Sequence, residues 1–166
     1  MNRLKKLTFI SFFCTLLSFS FLFAACSSET LKYQKLSDVC MVYALDTNIS
    51  GDIVVPATYD GLEVMIADNA FRKCYKIKTI TLSEGIRVIY ELAFTQCSAS
   101  EINVPHSIER FKNAPFAVNE YKNLTINYAG TIEEWYNVDG APTSVYSGIQ
   151  VVCTDGVAFD TRETAN

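Results

Sequence analysis

The sequence predicts a β-rich α/β solenoid: a short stack of coils sharing a parallel sheet, with one short strand per 22–23-residue coil and a cap at each end. Three observations predict it. Phe71, Phe94 and Phe116 fall 23 and 22 residues apart. Ala70-Phe71-Arg72-Lys73-Cys74 is matched by Ala93-Phe94-Thr95-Gln96-Cys97, so Ala, Phe and Cys all recur at 23. Ile80-Thr81-Leu82 is followed by Ile102-Asn103-Val104 and then by Leu124-Thr125-Ile126, each step 22 residues. A fixed period of this length marks repeats that cannot bury their own apolar face and must stack on their neighbours.

Residues 31 to 55 read as an opening cap. Leu36, Val39, Val42, Tyr43 and Leu45 are strand-like, while Asp46-Thr47-Asn48 and Ser50-Gly51-Asp52 read as turns. Ile53-Val54-Val55 is a short strand stopped by Pro56, which cannot donate to a ladder. The step from Val55 to Leu82 is 27, so this coil carries about four extra residues, and the Asp60-Gly61 turn is their natural place. The next coil runs from Leu82 through Ile86, Ile89, Ala93, Phe94 and Cys97 to Ile102. The one after runs from Val104-Pro105 through Ile108, Phe111 and Phe116 to Leu124 and Ile126. There the pattern frays, with Pro115 in place of Ala and Asn119 in place of Cys, as expected of a terminal repeat. Gly130-Thr131 followed by Glu133-Glu134-Trp135-Tyr136 suggests a helical turn. Ile149 to Val152 is a last apolar strand, closed by Asp155-Gly156.

The expected repeat core is Phe71, Cys74, Ile80, Leu82, Phe94, Cys97, Ile102, Val104, Phe116, Leu124 and Ile126. Burying each Phe or Leu stabilises the stack by about 1.5–3 kcal/mol. Alternation places Thr79, Thr81, Glu101, Asn103, Thr125 and Asn127 on the opposite, outer face of the same strands. These six are the candidate binding face, against the plainer reading of a solvated strand surface.

The first residues are a targeting segment rather than part of the fold. Arg3, Lys5 and Lys6 precede a run from Leu7 to Phe23 that is apolar apart from Ser, Thr and Cys14, and then Ala24-Ala25-Cys26. This ending resembles the lipobox of bacterial lipoproteins, in which small residues precede a Cys that is lipidated after cleavage. The resemblance implies lipidation at Cys26 and a membrane anchor. An uncleaved membrane helix is the competing reading, since about 20 apolar residues span a bilayer. The chain then divides into a signal peptide at 1–25, a tether at 26–35, the repeat domain with caps at 36–157 and a tail at 158–166.

Residues 26–166 keep 11 of the 14 basic residues and all 18 acidic ones, for a formal charge of −7. An acidic surface argues against nucleic acid as a partner, because phosphate contacts need basic side chains. Cys40, Cys74, Cys97 and Cys153 remain once Cys14 leaves with the signal and Cys26 takes lipid. Cys74 and Cys97 occupy equivalent places, and a stacked ladder of free thiols is favoured over a Cys74–Cys97 bridge. With no CxxC pair and no nearby His, no metal site is expected and no cofactor is implied.

Val55-Pro56, Gly61-Leu62-Glu63-Val64, Ile66, Ala70-Phe71, Cys74, Ile77 and Ile80, matched again from Leu82 to Cys97, resemble the BspA-type leucine-rich repeat. Tyr128-Ala129-Gly130-Thr131 and Val152-Cys153-Thr154-Asp155-Gly156 are similar to the segments that close such arrays. The resemblance implies a bacterial, surface-exposed, non-catalytic recognition or adhesion protein, with host matrix or bacterial surface proteins as partners. A structural envelope lipoprotein without a specific ligand is the alternative.

An enzyme is the third reading. A Ser-His-Asp or Cys-His arrangement would have to use His106, the only His, which reads instead as a solvated turn residue after Pro105. Glu133 and Glu134 are adjacent on a helix and do not face one another, which favours helix capping over paired carboxylate chemistry. Trp135 reads as a cap over the last coil in preference to an interface anchor.

Overall fold

The computed structural model describes residues 30–116, 123–144 and 147–162. The expected signal peptide, Cys26 and Asn119 lie outside these residues. Four coils follow one another, each contributing one strand to each of two sheets, and the first two carry one extra strand apiece. The first holds β1 (Leu31–Lys35), β2 (Val39–Ala44) and β3 (Ser50–Val55). The second holds β4 (Thr58–Tyr59), β5 (Leu62–Ile66) and β6 (Lys76–Leu82). The third holds β7 (Val88–Ile89) and β8 (Glu101–Val104), and the fourth β9 (Arg110–Phe111) and β10 (Leu124–Tyr128). Helix α1 (Ile132–Asn137) then leads to β11 (Ile149–Cys153) and β12 (Gly156–Asp160).

Two sheets flank one core. The first runs β1-β2-β5-β7-β9, with β4 added beside β5, and the second runs β12-β11-β10-β8-β6-β3. The single strand expected per coil belongs to the second sheet. The first sheet adds another strand from each coil, some of only two residues, too short for alternation to announce them. Pairing is parallel between coils and antiparallel where β1 closes on β2, β4 on β5 and β12 on β11. An antiparallel strand is the economical way to cover a parallel edge that would otherwise offer unpaired backbone groups.

Four sequence expectations are corrected by the structure. Leu31–Lys35 is a paired strand, not part of a tether, and β12 carries the fold to Asp160, beyond the expected limit at 157. Ile149 to Val152 is therefore the penultimate strand. Ser50-Gly51-Asp52 is strand with a register shift between Gly51 and Asp52, not a turn. The Asp46 turn is present, with the Asn48 amide donating to the Asp46 carboxylate at 2.6 Å.

The core lies between the sheets and in the turn joining β5 to β6 and its equivalents. All eleven expected repeat-core residues are buried. Phe71 stacks on Phe94 at 5.7 Å, and Phe94 on Phe116 at 5.3 Å. Backbone bonds tie these turns coil to coil: Phe71 N–H donates to Ala93 O at 2.7 Å, and Phe94 N–H to Pro115 O at 3.0 Å. Proline tolerates this site because the preceding coil needs its carbonyl, not an N–H. Cys40, Cys74, Cys97 and Cys153 are buried free thiols.

The ends are capped by aromatic side chains. Tyr33 stacks on Tyr59 at 3.9 Å, beside an ion pair between Lys35 and Asp60. Tyr59 belongs to the extra residues of that coil, which form a hairpin across Asp60 (φ 50°) and Gly61 (φ 79°). Positive φ at both central positions is the turn that matches strand twist. At the other end Trp135 is fully buried against Phe111 and Tyr128, and its Nε1–H donates to Pro142 O at 3.1 Å. Trp135 thus covers the last coil.

Candidate functional site

The outer face of the second sheet is built by strand alternation. In β6, β8 and β10 the side chains of Ile80, Leu82, Ile102, Val104, Leu124, Ile126 and Tyr128 are buried, and those between them point outward. Strand register brings all six predicted face residues together. Thr79, Glu101 and Thr125 form one row, and Thr81, Asn103 and Asn127 the next. The rows extend further than the sequence reading placed them. Asp52 and Gln150 flank the first, and Val54 and Val152 the second. Asp52 and Val54 were legible only through the register of β3 against β6, because the spacing to Thr79 and Thr81 is 27, not 22.

Each row is cross-linked. Asn127 Nδ2 donates to Glu101 Oε1 at 2.7 Å and to Asn103 Oδ1 at 2.9 Å, and Asn103 Nδ2 donates to Thr81 Oγ1 at 3.1 Å. Thr79 Oγ1 donates to Asp52 Oδ1 at 2.8 Å. Arg162 Nη1 donates to Thr125 Oγ1 at 3.5 Å, while its Nη2 pairs with Asp160 at 2.7 Å. That pairing holds the Asp160 carboxyl below its ordinary range. Amides and hydroxyls aligned at strand spacing can read hydrogen-bonding groups on a partner. They form no nucleophile–base pair.

A shallow groove of about 310 Å³ opens at the end of these strands, between Glu84, Asn103, Pro105, Asn127 and Tyr128. Beyond Tyr128 a second hollow of about 300 Å³ contains His106, Glu109 and Glu134. There His106 Nε2 lies 3.1 Å from Glu134 Oε1. The other Glu134 oxygen accepts from Thr131 N–H at 2.8 Å and Thr131 Oγ1 at 3.0 Å. Thr131 in turn caps the Glu134 amide, so Glu134 closes a capping box at the start of α1. Chiefly through the Thr131 amide, and then through His106, its carboxyl is held at about 2. A carboxylate so firmly ionised is a poor proton donor near neutrality. Glu133 is exposed and does not join it. Among the described residues no group of His, Cys, Asp and Glu side chains could hold a metal ion.

Compared with known protein families, residues 52–136 match the BspA type leucine-rich repeat region, in six copies, over just more than half of the 166-residue chain. The chain belongs to the BspA-type leucine-rich-repeat family. No curated protein and no solved structure gives a significant match to it. The matched span in this BspA-type chain runs from the Asp52 row position to α1, and so contains all six predicted face residues. Repeats of this kind serve as protein-interaction modules, and their solenoids are typically non-enzymatic scaffolds. Among the described residues no helix is long and apolar enough to cross a membrane.

Proposed function

We propose that the protein is a lipid-anchored, surface-facing recognition module of the bacterial envelope, binding a protein partner through the outer face of the second sheet. The observation that carries this reading is a row of polar side chains aligned over five strands, Asp52, Thr79, Glu101, Thr125 and Gln150, beside a second row of Thr81, Asn103 and Asn127, within a BspA-type solenoid. Host matrix proteins and other bacterial surface proteins are the partners that membership suggests, with the acyl group on Cys26 as the link to the membrane.

One observation favours a second reading, a structural envelope protein without a specific ligand. The face is largely satisfied by its own side chains, Asn127 to Asn103 to Thr81 and Thr79 to Asp52. The experiment is a pair of measurements. Fatty-acid labelling with Cys26→Ala as control, combined with protease shaving of intact cells, tests anchoring and exposure. Saturable binding to matrix and envelope extracts, lost in Asn103→Ala and Asn127→Ala with the fold intact, supports recognition. Absence of saturable binding supports the structural reading.

A further inference from the structure

We infer that the first coil rests on the lipid surface, so that the stack of coils rises from the bilayer and the protein serves only membrane-proximal partners. This rests on the lipid-anchor reading at Cys26. The argument begins at Thr30. Leu45 N–H donates to Thr30 O at 2.9 Å, continuing the β1–β2 ladder past its Leu31–Ala44 pair. The chain therefore joins the domain at the first coil and nowhere else. Cys26 precedes Thr30 by four residues, and four extended residues reach about 14 Å at most. An acyl group on Cys26 holds that end of the stack within this distance of the membrane.

The same end is built to meet an apolar surface. The first coil has a neighbour on one side only, since β1 and β3 are the outermost strands of the two sheets. It leaves Leu36 47% and Leu45 44% exposed, and Tyr59 of the adjoining hairpin 37% exposed. Leucine and tyrosine are suited to the boundary between headgroups and acyl chains. Electrostatic attraction to acidic lipid is not the driving force. The first coil carries Lys32 and Lys35 against Asp38, Asp46 and Asp52, with Asp60 in the adjoining hairpin.

Height then limits reach. Six strands at about 4.8 Å spacing make a stack of about 24 Å, so with the first coil on the lipid surface the far end stands about 24 Å above the bilayer. The polar rows cross every coil and are presented side-on within that layer. A partner must be a protein of the same membrane or one that enters this layer.

The test uses the acylated protein in phosphatidylcholine vesicles. An environment-sensitive fluorophore is placed at Leu45→Cys or, at the opposite end, at Val157→Cys. Lipid-borne nitroxide quenchers are then added. Wild type, with its buried thiols, takes no label and serves as blank. Quenching several-fold stronger at position 45 than at 157, and unchanged when phosphatidylglycerol replaces part of the lipid, is the expected result. Leu36→Ser with Leu45→Cys should weaken it while circular dichroism stays native. Equal quenching at the two ends of a protein whose N-terminal peptide carries the acyl mass overturns the orientation alone. An N-terminal peptide without acyl mass removes the anchor, and the orientation with it.

Discussion

The rings of Phe71 and Phe94 lie 5.7 Å apart with their planes within 5° of parallel. They come from successive coils, and Phe116 continues the column at 5.3 Å and 16°. Offset stacking of this kind adds to the burial of each ring. Phe94 is the middle member, so its loss strips both neighbours. Phe94→Ala is expected to cost about 3–5 kcal/mol, enough to unfold most of a short array at 37 °C. Phe94→Leu should cost less. Thermal melts of the two variants check the order, and a Phe94→Ala melt close to wild type contradicts the column as a source of stability.

Gly140 offers a sharper steric test. A Cβ there would sit 2.1 Å from the backbone Phe111 O, of a residue whose N–H donates to Asp139 O at 2.8 Å, and φ is +70°. Both facts oppose any side chain. Gly140→Ala should destabilise by about 2–3 kcal/mol, visible as a lowered urea midpoint. An unchanged midpoint would mean that the segment from Val138 to Ala141 is not packed against β9.

Lys73 should give the opposite sign. It is exposed and held at φ +60°, where non-glycine residues are disfavoured, and its counterpart Gln96 is at +57°. Asparagine tolerates this region better without the unfolded-state freedom of glycine. Lys73→Asn is expected to raise stability by about 0.5–1 kcal/mol, measured as a higher melting temperature. A fall would point to an interaction of the lysine side chain.

Acid stability should depend on Glu134. Its carboxyl is held at about 2, below its ordinary 4.5, by the Thr131 amide first and by His106 second. A depressed folded pKa gives stability that is present above 4.5 and lost as the pH falls from there towards 2. Urea midpoints measured across this window should fall less steeply in Glu134→Gln than in wild type. Identical slopes would show that the capping box does not couple to folding.

The thiols report burial directly. Burial pushes the Cys74 thiol up to about 12 and the Cys97 thiol to about 11, with the neighbouring Cys97 adding to the shift at Cys74. Only thiolate reacts readily with disulfide reagents. The domain beyond Cys26 should therefore be silent to such a reagent at pH 8 and release four equivalents in guanidinium. Fewer than four equivalents after unfolding would indicate a bridge.

The six face residues were legible because alternation is local: a strand buries every second side chain, so Thr79, Asn103 and Thr125 had to point the other way. The partners that complete the face were not. Arg162 reaches Thr125 across 37 residues, and Glu134 meets His106 across 28. No spacing in the chain announces either contact.

Sequence alone determined what repeats: the coil period, the buried column of Phe71, Phe94 and Phe116, the stop at Pro56 and the side of each strand that faces inward. These follow from short-range patterning and steric rules that act residue by residue. Tertiary structure decided the rest. Val88–Ile89 and Arg110–Phe111 become strands only because β5 and β7 lie beside them, and Leu31–Lys35 becomes one because a parallel edge needs closing. Left-handed backbone at Asn69, Leu92 and Ala114 is likewise imposed by coil-to-coil hydrogen bonds such as Asn69 N–H to Glu91 O. Each of these states is unfavourable in isolation and is stabilised by a neighbouring coil that the local sequence does not encode.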